Sequence, residues 1–410
     1  MSDREADTEA DIHGVEDRGE TPSVMEPLLL GAAAPSRAEL SDKAVELAAL
    51  AAGFRRSLPP EVATALSDLV RSMNCSYSNL IEGHNTHPVD IERAMREDFS
   101  ADPAKRNLQF EARAHVSVQE WIDRGALRGR AVSAAAQQEI HRRFCKLLPE
   151  ELLVVTDPDT GRAVRVEPGV LRRDDVRVGH HFAVSPGAVP RFLARFEEIY
   201  GRLGRAETIL AAAAAHHRLL WIHPFVDGNG RVARLMSHAV LLDALDTGGL
   251  WSVARGLARS VAAYKGHLMA CDQPRRNDLD GRGNLSEEAL SAFTTFFLDT
   301  CLDQVRFMED LVQPDRLRTR VLLWAEEETR SGLLPAKAGQ ILEAVLFRGE
   351  VPRGNAADIV GTGDRQARRV VSALVDRGVL TSESSRAPLR IAFPATLAAR
   401  WMPGLFPEQA

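Results

Sequence analysis

The sequence predicts a mainly α protein with a β-hairpin flap and a small C-terminal winged-helix domain of α+β type. From Ala38 to about Asp310, apolar residues recur at spacings of three and four, which is the helical period. Residues 152–182 break this pattern with two β-branched segments around a D-P-D-T-G turn, which indicates a hairpin. Beyond about Gln313, three helical segments precede two extended ones, and this is the order of a winged helix.

The helical pattern resolves into separate segments. The predicted helices are 39–57, 60–81, 88–98, 105–123, 133–147, 188–202, 205–221, 230–245, 256–272 and 286–310. After a connecting helix near 314–330, the winged helix is predicted to contain helices at 336–347, 356–360 and 364–378. The predicted organisation is therefore a tail (1–35), an N-terminal helical region (36–100), a core (101–312), a connecting helix (313–331) and the winged-helix-like domain (332–410).

Composition excludes several classes of protein. The 410 residues are 45% hydrophobic and 26% charged with a net charge of −6, so the whole-chain charge does not point to nucleic acid or an anionic membrane as the main partner. No apolar run reaches the ~18 residues of a membrane span, and no signal peptide is recognisable. Four widely spaced cysteines predict buried thiols in a reducing compartment. We therefore expect a cytoplasmic protein, with residues 1–35 as a disordered acidic tail.

Residues 223–234, which read HPFVDGNGRVAR, combine an unusual backbone with reactive side chains. The segment joins two helical segments through a turn that holds Gly228 and Gly230, and glycine lets a backbone approach a ligand closely. Amide groups of such a turn, at the start of a helix, suit phosphate oxygens. Around the turn stand a base, a carboxylate, an amide and two guanidiniums: His223, Asp227, Asn229, Arg231 and Arg234. This set suits phosphoryl or nucleotidyl transfer.

The same segment resembles the H-x-F-x-(D/E)-G-N-G-R-x-x-R motif of the Fic (Fido) family and meets every fixed position. The resemblance implies a Fic/Fido helical core and a protein adenylyltransferase, which moves AMP from ATP to a Ser, Thr or Tyr hydroxyl of a protein. Related phosphotransferases carry a lysine where this chain has Gly230, so this position favours AMP transfer.

The resemblance also implies roles for the segment. His223 is expected to be the general base for the target hydroxyl, and Asp227 to hold Mg²⁺, a hard ion that prefers oxygen ligands. Residues 228–230 are expected to surround the α-phosphate, and the two arginines to bind the outer phosphates through their planar forks. The implied nucleotide-binding residues here are Asp227, Gly228, Asn229, Gly230, Arg231, Val232, Ala233 and Arg234.

Two further segments resemble parts of the same family. Residues 169–181 resemble its target-positioning hairpin, in which an exposed strand edge aligns the substrate peptide. Residues 264–272 resemble its adenine-pocket helix. The implied nucleotide contacts are Val176, Arg177, Val178, Gly179, Tyr264, Lys265 and Asp272. An ordinary surface hairpin and plain helical core remain the alternatives, and His180 and His181 are interpreted as structural because no third metal ligand has suitable spacing.

An upstream segment, Ser78-Asn-Leu-Ile-Glu82-Gly83, resembles the family's inhibitory motif (S/T)-x-x-x-E-(G/N). The resemblance implies that Glu82 reaches Arg234, occupies the guanidinium meant for the γ-phosphate and makes ATP bind unproductively. In some relatives the same glutamate helps to remove AMP from the target. An ordinary helix end capped by Gly83 is the alternative.

Two other functions remain open. The chain is alternatively a DNA-binding regulator with an inert core, since Arg365, Arg368 and Arg369 lie at the start of the candidate recognition helix. The winged helix serves protein contacts or homodimerisation equally well. Transfer of another nucleotide, such as UMP, through the same core is the second alternative. The expected partners are thus ATP and a protein substrate, with a homodimer and DNA left open.

Overall fold

Helices dominate the computed structural model, which describes residues 15–156 and 161–407. The helices are α1 (Arg37–Arg56), α2 (Pro60–Ile81), α3 (Pro88–Met95), α4 (Pro103–Asp123), α5 (Ala134–Cys145), α6 (Val189–Tyr200), α7 (Arg205–Ile222), α8 (Asn229–Leu245), α9 (Val253–Arg259), α10 (Val261–Cys271), α11 (Glu287–Leu311), α12 (Pro314–Arg330), α13 (Ala338–Arg348), α14 (Ala356–Val360), α15 (Asp364–Asp376) and α16 (Ala398–Trp401). The predicted mainly α class is confirmed.

Short strands form three small antiparallel sheets in the described residues. They are β1 (Val154–Thr156) with β2 (Ala163–Arg165), β3 (Arg177–Val178) with β4 (His181–Phe182), and β5 (Glu350–Val351), β7 (Leu389–Ile391) and β6 (Leu380–Thr381) in that spatial order. The predicted flap at 152–182 is therefore two successive hairpins rather than one. Residues 157–160 of its D-P-D-T-G turn lie outside the described residues.

One predicted helix is wrong in its continuity. The segment 256–272 was expected to be a single helix, but it is divided at Ser260 between α9 and α10. The Ser260 backbone leaves the helical region (φ −120°, ψ 37°), and its carbonyl accepts the Tyr264 N–H at 2.9 Å to start the second helix. Every residue of α9 except Arg259 is buried, so packing decides the break that the periodicity did not show.

The prediction of a disordered tail is wrong for residues 15–35, while residues 1–14 lie outside the described residues. Met25, Leu28 and Leu30 are buried, which contributes apolar burial that the acidic composition did not suggest. Polar groups add specific contacts: Arg191 binds both carboxylate oxygens of Asp17 at 2.5 and 2.6 Å. Contacts with residues far along the chain therefore hold this segment in place, and the local sequence did not show them.

Contacts divide the chain into two compact units. The first contains residues up to 44, 124–244 and 260–298, and the second contains 45–123, 245–259 and 299 onward. This division differs from the predicted boundaries, because α4 groups with the N-terminal helices rather than with the predicted core. The reason is packing: α4 contacts α2 and α3 around a buried cluster of Cys75, Ile91, Ala112 and Val116.

In the first unit, α7 is buried along almost its whole length. Its run Ala211–Ala215 carries small side chains, which allow neighbouring helices to approach closely. Helix α6 packs against α7 and buries Phe192 and Phe196 completely. Helix α7 also buries His216, His217 and Arg218, and such polar side chains require hydrogen-bond partners. The polar groups at the C-terminal end of α7 therefore belong to an ordered network.

In the second unit, α13, β5, α14, α15, β6 and β7 follow one another in the order of a winged helix. Helix α15 packs on α13 and α14 through Ala367, Val370, Val371 and Leu374, which form its buried face. The predicted helices and extended segments are present in that order, with β5 as an additional strand, and the assignment to the winged-helix class stays a prediction. A strand of only two residues is too short to show a period in the sequence.

The cysteines and the apolar content of the helices were both predicted from composition. Cys75, Cys145, Cys271 and Cys301 are all buried free thiols, as expected. None of the helices in residues 15–156 and 161–407 combines the length and apolar composition of a membrane-spanning segment.

Candidate functional site

The candidate site begins where α7 ends, at a residue with an unusual backbone. His223 has a left-handed conformation (φ 51°, ψ 63°), and its N–H donates to the Leu219 carbonyl at 3.1 Å to close the helix. Glycine usually occupies this position, since a side chain there costs about 1–2 kcal/mol. The predicted base is therefore held in a strained conformation, which is frequent at functional sites.

Arg172 stabilises this strained turn from the base of the flap. Its side chain is 2% exposed, and its Nε donates to the His223 carbonyl at 2.7 Å. Its Nη1 and Nη2 atoms donate to the carbonyls of Asp174 and Val184. The backbone N–H of Arg172 donates to the Pro224 carbonyl at 3.0 Å. Burial lowers the pKa of this guanidinium to about 10, so it remains charged at neutral pH. Arg172 lies within the hairpin-like segment 169–181, but no sequence pattern assigned it a role.

The imidazole of His223 is oriented by one backbone contact. Its Nδ1 lies 3.3 Å from the Leu220 carbonyl, so Nδ1 carries the proton and Nε2 is left with a lone pair. Burial lowers the pKa of His223 to about 4, with the Leu220 hydrogen bond opposing the shift and Arg172 reinforcing it. The ring is consequently neutral at pH 7 and has an open acceptor, which is the form required of a base.

The loop that follows is closed by the Asn229 side chain. Its Oδ1 accepts the Phe225 N–H at 3.0 Å, and its Nδ2 donates to the Phe225 carbonyl at 2.8 Å. Both ends of this amide are therefore used for loop geometry, and only the backbone of Asn229 is left for the predicted anion hole. The Val232 N–H donates to Gly228 at 3.0 Å, so α8 starts here and its first amide groups have no partner within the helix.

His141 of α5 packs against this loop, and the sequence analysis did not identify it. Its ring stacks on Phe225 with centroids 4.0 Å apart and planes 1° apart. Its Nδ1 accepts the Gly169 N–H at 2.9 Å, which ties the loop to the start of the flap. Gly169 has φ +80°, and a Cβ there would lie 2.7 Å from the Arg142 Cβ, so only glycine fits. Glycine at 169 thus lets the start of the flap approach α5 closely enough for the hydrogen bond to His141.

Charged groups of the motif differ in exposure. Asp227 is exposed, whereas Arg231 and Arg234 are 8% and 4% exposed. The Arg231 guanidinium lies 5.1 Å from the centroid of the Phe144 ring. Val232 and Ala233 are buried in the core face of α8, while Gly230 is half-buried. The structure therefore makes Asp227 the solvent-facing charge of the loop.

The donor chemistry at the loop is compatible with Mg²⁺ held partly by a substrate. No group of three or more His, Cys, Asp or Glu side chains suited to a metal occurs in the part of the chain that the structure describes. Mg²⁺ is commonly bound through one or two carboxylates together with waters and substrate phosphates. The single exposed carboxylate of Asp227 fits that arrangement.

The predicted flap residues lie on the exposed β3–β4 hairpin. Val176 is half-buried at its base, and Arg177, Val178 and Gly179 are exposed. Phe182 is 71% exposed, with the Arg177 guanidinium 5.8 Å from its ring centroid. The structural interpretation of the histidine pair is supported by His181, whose Nε2 donates to the Trp221 carbonyl at 2.8 Å.

Residues of the predicted adenine-pocket helix face the core. Tyr264 is 2% exposed, and its hydroxyl donates to His216 Nε2 at 2.7 Å. His216 Nδ1 in turn donates to Ser237 Oγ at 2.8 Å, which links α10, α7 and α8. The Asp272 carboxylate accepts from His217 Nε2 at 2.9 Å. The alternative interpretation as helical core therefore accounts for Tyr264, and Lys265 is the exposed member of the predicted set.

The predicted inhibitory segment ends α2 in the second unit. Gly83 has φ +90°, and the His84 N–H donates to the Asn79 carbonyl at 2.9 Å, so Gly83 is a helix cap. Ser78 is fully buried, whereas Glu82 is exposed. Capping thus explains Gly83 by itself, and the role of Glu82 stays a prediction.

The comparison with protein families defines the class of domain. Residues 132–241 match the model of the Fic/DOC family, and this range includes the His223–Arg234 loop. The chain therefore contains a Fic/DOC domain.

Curated relatives and a solved structure extend this result. The protein adenylyltransferase Fic of Culex quinquefasciatus is 38% identical over 100 residues, which are 23% of this chain and 19% of that protein. The protein of the same name from Drosophila melanogaster is 38% identical over 86 residues, 20% of this chain and 18% of that protein. The chain thus matches about a fifth of the length of these relatives. The fold is similar to that of a Fic family protein from Desulfovibrio desulfuricans (TM-score 0.51, 15% identity), with 89% of this chain and 98% of that chain covered.

We expect the first unit to lose stability on mild acidification. Burial lowers the pKa of His141, His217 and His223 to about 4 and that of His216 to about 3, against 6.5 in an unfolded chain. Between pH 6.5 and 4 the unfolded chain therefore binds protons that the native chain does not, so stability is full above pH 6.5 and falls below it. Each imidazole is expected to contribute a loss of stability on the order of 1 kcal/mol between pH 7.5 and 5.5, measurable by urea denaturation.

A variant of one histidine separates this effect from other titrations. His216→Gln is expected to reduce the stability difference between pH 7.5 and 5.5 by roughly 1 kcal/mol, because glutamine does not titrate. An unchanged difference would show that the native protein also protonates His216.

Proposed function

We propose that this chain is a protein adenylyltransferase that transfers AMP from ATP to a Ser, Thr or Tyr hydroxyl of a protein. The observation that supports this most is the position of His223. It is a neutral imidazole in a strained left-handed turn, and it immediately precedes the glycine-containing turn that starts α8. The curated relatives with this name support the same activity.

His223 acts as the general base in this proposal. Because its Nδ1 proton is donated to Leu220, Nε2 takes the proton of the target hydroxyl. The hydroxyl oxygen bonds to the α-phosphorus, the bond from that phosphorus to the bridging oxygen of the β-phosphate breaks, and pyrophosphate leaves. The amide groups at the start of α8 hold the negative charge of the α-phosphate.

The remaining residues bind and orient the substrates. Asp227 holds Mg²⁺, which when bound neutralises phosphate charge. Arg231 and Arg234 bind the outer phosphates through charge-assisted hydrogen bonds. The exposed β3–β4 hairpin, with Val178 and Phe182 uncovered, aligns the target peptide.

Labelled nucleotides test the reaction directly. The full-length protein is incubated with Mg²⁺ and either α-labelled or γ-labelled ATP, and the labelled residues are identified by mass spectrometry. Label from the α-position and a mass increase of one adenylyl group are expected, and EDTA should abolish both. Label from the γ-position contradicts nucleotidyl transfer. A parallel series with α-labelled CTP, GTP and UTP decides the nucleotide, and preference for UTP would replace AMP with UMP as the transferred group.

We further propose that Glu82 restrains this activity. Its carboxylate is exposed at the end of α2, where the cap at Gly83 and the Asn79–Thr86 hydrogen bond of 3.0 Å hold the surrounding backbone in place. Glu82→Gly is expected to raise self-labelling about 10-fold or more, which corresponds to ~1.4 kcal/mol of relieved inhibition. The measurement is the initial rate of incorporation of α-labelled ATP.

Two matched variants make this test specific. Asn85→Gly adds the same flexibility to the same exposed segment and should leave the rate within about twofold. The double variant Glu82→Gly with His223→Ala should lose the gain, since the stimulated reaction uses the same base. If Glu82→Gly labels no faster than the wild type, Glu82 is not inhibitory. Faster loss of label from wild-type protein than from Glu82→Gly after ATP removal supports AMP hydrolysis by the same glutamate.

A further inference from the structure

The C-terminal winged helix presents a row of arginines that the catalytic proposal does not use. Arg365, Arg368 and Arg369 are exposed on the N-terminal half of α15, and Ser372 continues the same row. Their spacing of three and four places them on one face of the helix. That face is opposite the buried stripe from Ala367 to Leu374 that packs on α13 and α14. The row is therefore directed away from the core of its domain.

The arginines of this row differ from the exposed arginines of α12 because no carboxylate of the described residues neutralises their charge. Arg365, Arg368 and Arg369 form no ion pair with any carboxylate among residues 15–156 and 161–407. By contrast, the exposed arginines of α12 are paired, and they are Arg316 with Asp310, Arg318 with Glu343 and Arg330 with Glu326. Three adjacent unpaired charges repel one another, which is unfavourable unless an anion compensates them. The row is thus a local positive patch in a chain whose net charge is −6.

The wing adds a further unpaired cation beside the helix. Residues 382–388 connect β6 to β7, and Arg386 in this loop is exposed and likewise has no carboxylate partner within the described chain. The loop has a defined shape, because Ser384 Oγ accepts the N–H groups of Arg386 and Ala387 at 3.3 and 3.1 Å. The Arg353 guanidinium donates to Ser382 Oγ at 3.4 Å at the base of the loop.

We infer that this winged helix binds duplex DNA, with α15 in the major groove and the wing on the sugar–phosphate backbone. A helix whose exposed face carries arginines matches a groove about 12 Å wide that is lined by phosphates. Duplex RNA does not suit the same geometry, since its major groove is too deep and narrow for a helix. Gln366 and Ser372 are uncharged exposed side chains on α15 that can reach base edges.

Fluorescence anisotropy of a labelled 25-base-pair DNA of mixed sequence tests the inference with the full-length chain. The triple variant Arg365→Gln, Arg368→Gln and Arg369→Gln is expected to bind at least 10-fold more weakly than the wild type. It should also lower the slope of log affinity against log salt concentration by about 2–3, because each lost phosphate contact removes about 0.9. Thermal unfolding should be unchanged, since all three side chains are exposed.

A control with the same charge excludes a bulk electrostatic effect. Arg316→Gln, Arg318→Gln and Arg330→Gln removes three positive charges from α12 in the same unit and should alter DNA affinity by less than about twofold. Equal weakening by both triple variants, absence of wild-type binding at 50 mM salt, or equal affinity for duplex RNA each overturns the inference. His223→Ala should bind DNA as the wild type does, so failure of the transferase proposal is distinguishable from failure of this one.

Discussion

Replacement of His223 by alanine is expected to lower the initial rate of labelling by α-labelled ATP by about 10²–10⁴-fold, the usual contribution of a general base. The residue has the required features in one place: a neutral ring, an Nδ1–H directed to Leu220 and an open Nε2. The substitution also relieves no buried charge, because the ring is neutral. The loss should therefore appear in kcat, while ATP affinity measured by calorimetry with a non-hydrolysable analogue stays within a few-fold.

His87→Ala is a suitable control for this experiment. His87 is an exposed histidine that precedes α3 in the second unit, and its replacement should leave the labelling rate within about twofold. A His223→Ala protein that labels at the wild-type rate would falsify the assignment of the base. A variant that no longer binds ATP would instead show that the ring contributes to nucleotide binding.

Replacement of Arg172 by methionine is expected to have the second largest effect. The variant keeps the buried volume but removes the donors to the carbonyls of His223, Val184 and Asp174. Buried carbonyls without donors cost about 1–3 kcal/mol each, so we expect a loss of ~3 kcal/mol or more in unfolding free energy. For a unit of this size that loss lowers Tm by about 6–12 °C.

Activity separates a positioning role of Arg172 from a merely structural one. The left-handed conformation of His223 is strained, so it should relax once the carbonyl loses its donor, and kcat per folded molecule at 20 °C should fall more than 10-fold. Arg162→Met is the matched control, since Arg162 lies in the same flap with its side chain 61% exposed. Wild-type kcat in folded Arg172→Met, whatever its Tm, would contradict positioning. Arg172→Lys should recover part of the stability but little of the rate, because a single ammonium cannot reach all the carbonyls.

The part of the site that the sequence revealed is contiguous. His223, Asp227 and Gly228 lie within six residues, and local rules govern them: a helix end, a glycine turn and a helix start. The helices and strands of the predicted winged helix were recognisable for the same reason, since they follow one another without an intervening segment. Patterns of this kind need no knowledge of distant packing.

The supports of the loop were not predictable, because their partners are distant in sequence. His141 meets Gly169 from 28 positions away and stacks on Phe225, and Arg172 reaches His223 from 51 positions away. An isolated histidine on a helix or an arginine in a flap is most often an exposed residue, so periodicity offers no reason to expect burial. Tyr264 has a contact of the same kind: the resemblance implied a pocket-lining helix, and only packing brings its hydroxyl to His216, 48 positions away in the sequence.

The amino-acid order alone determined the helical class, the order of helices and strands in the C-terminal region and the identity of the residues that carry the proposed chemistry, because each depends on neighbours within one or two helical turns. Tertiary structure alone decided that residues 15–35 fold, that α9 and α10 are separate, and that His223 is neutral and strained. Burial and long-range hydrogen bonds control these properties, and both arise only when segments far apart in the chain are brought together.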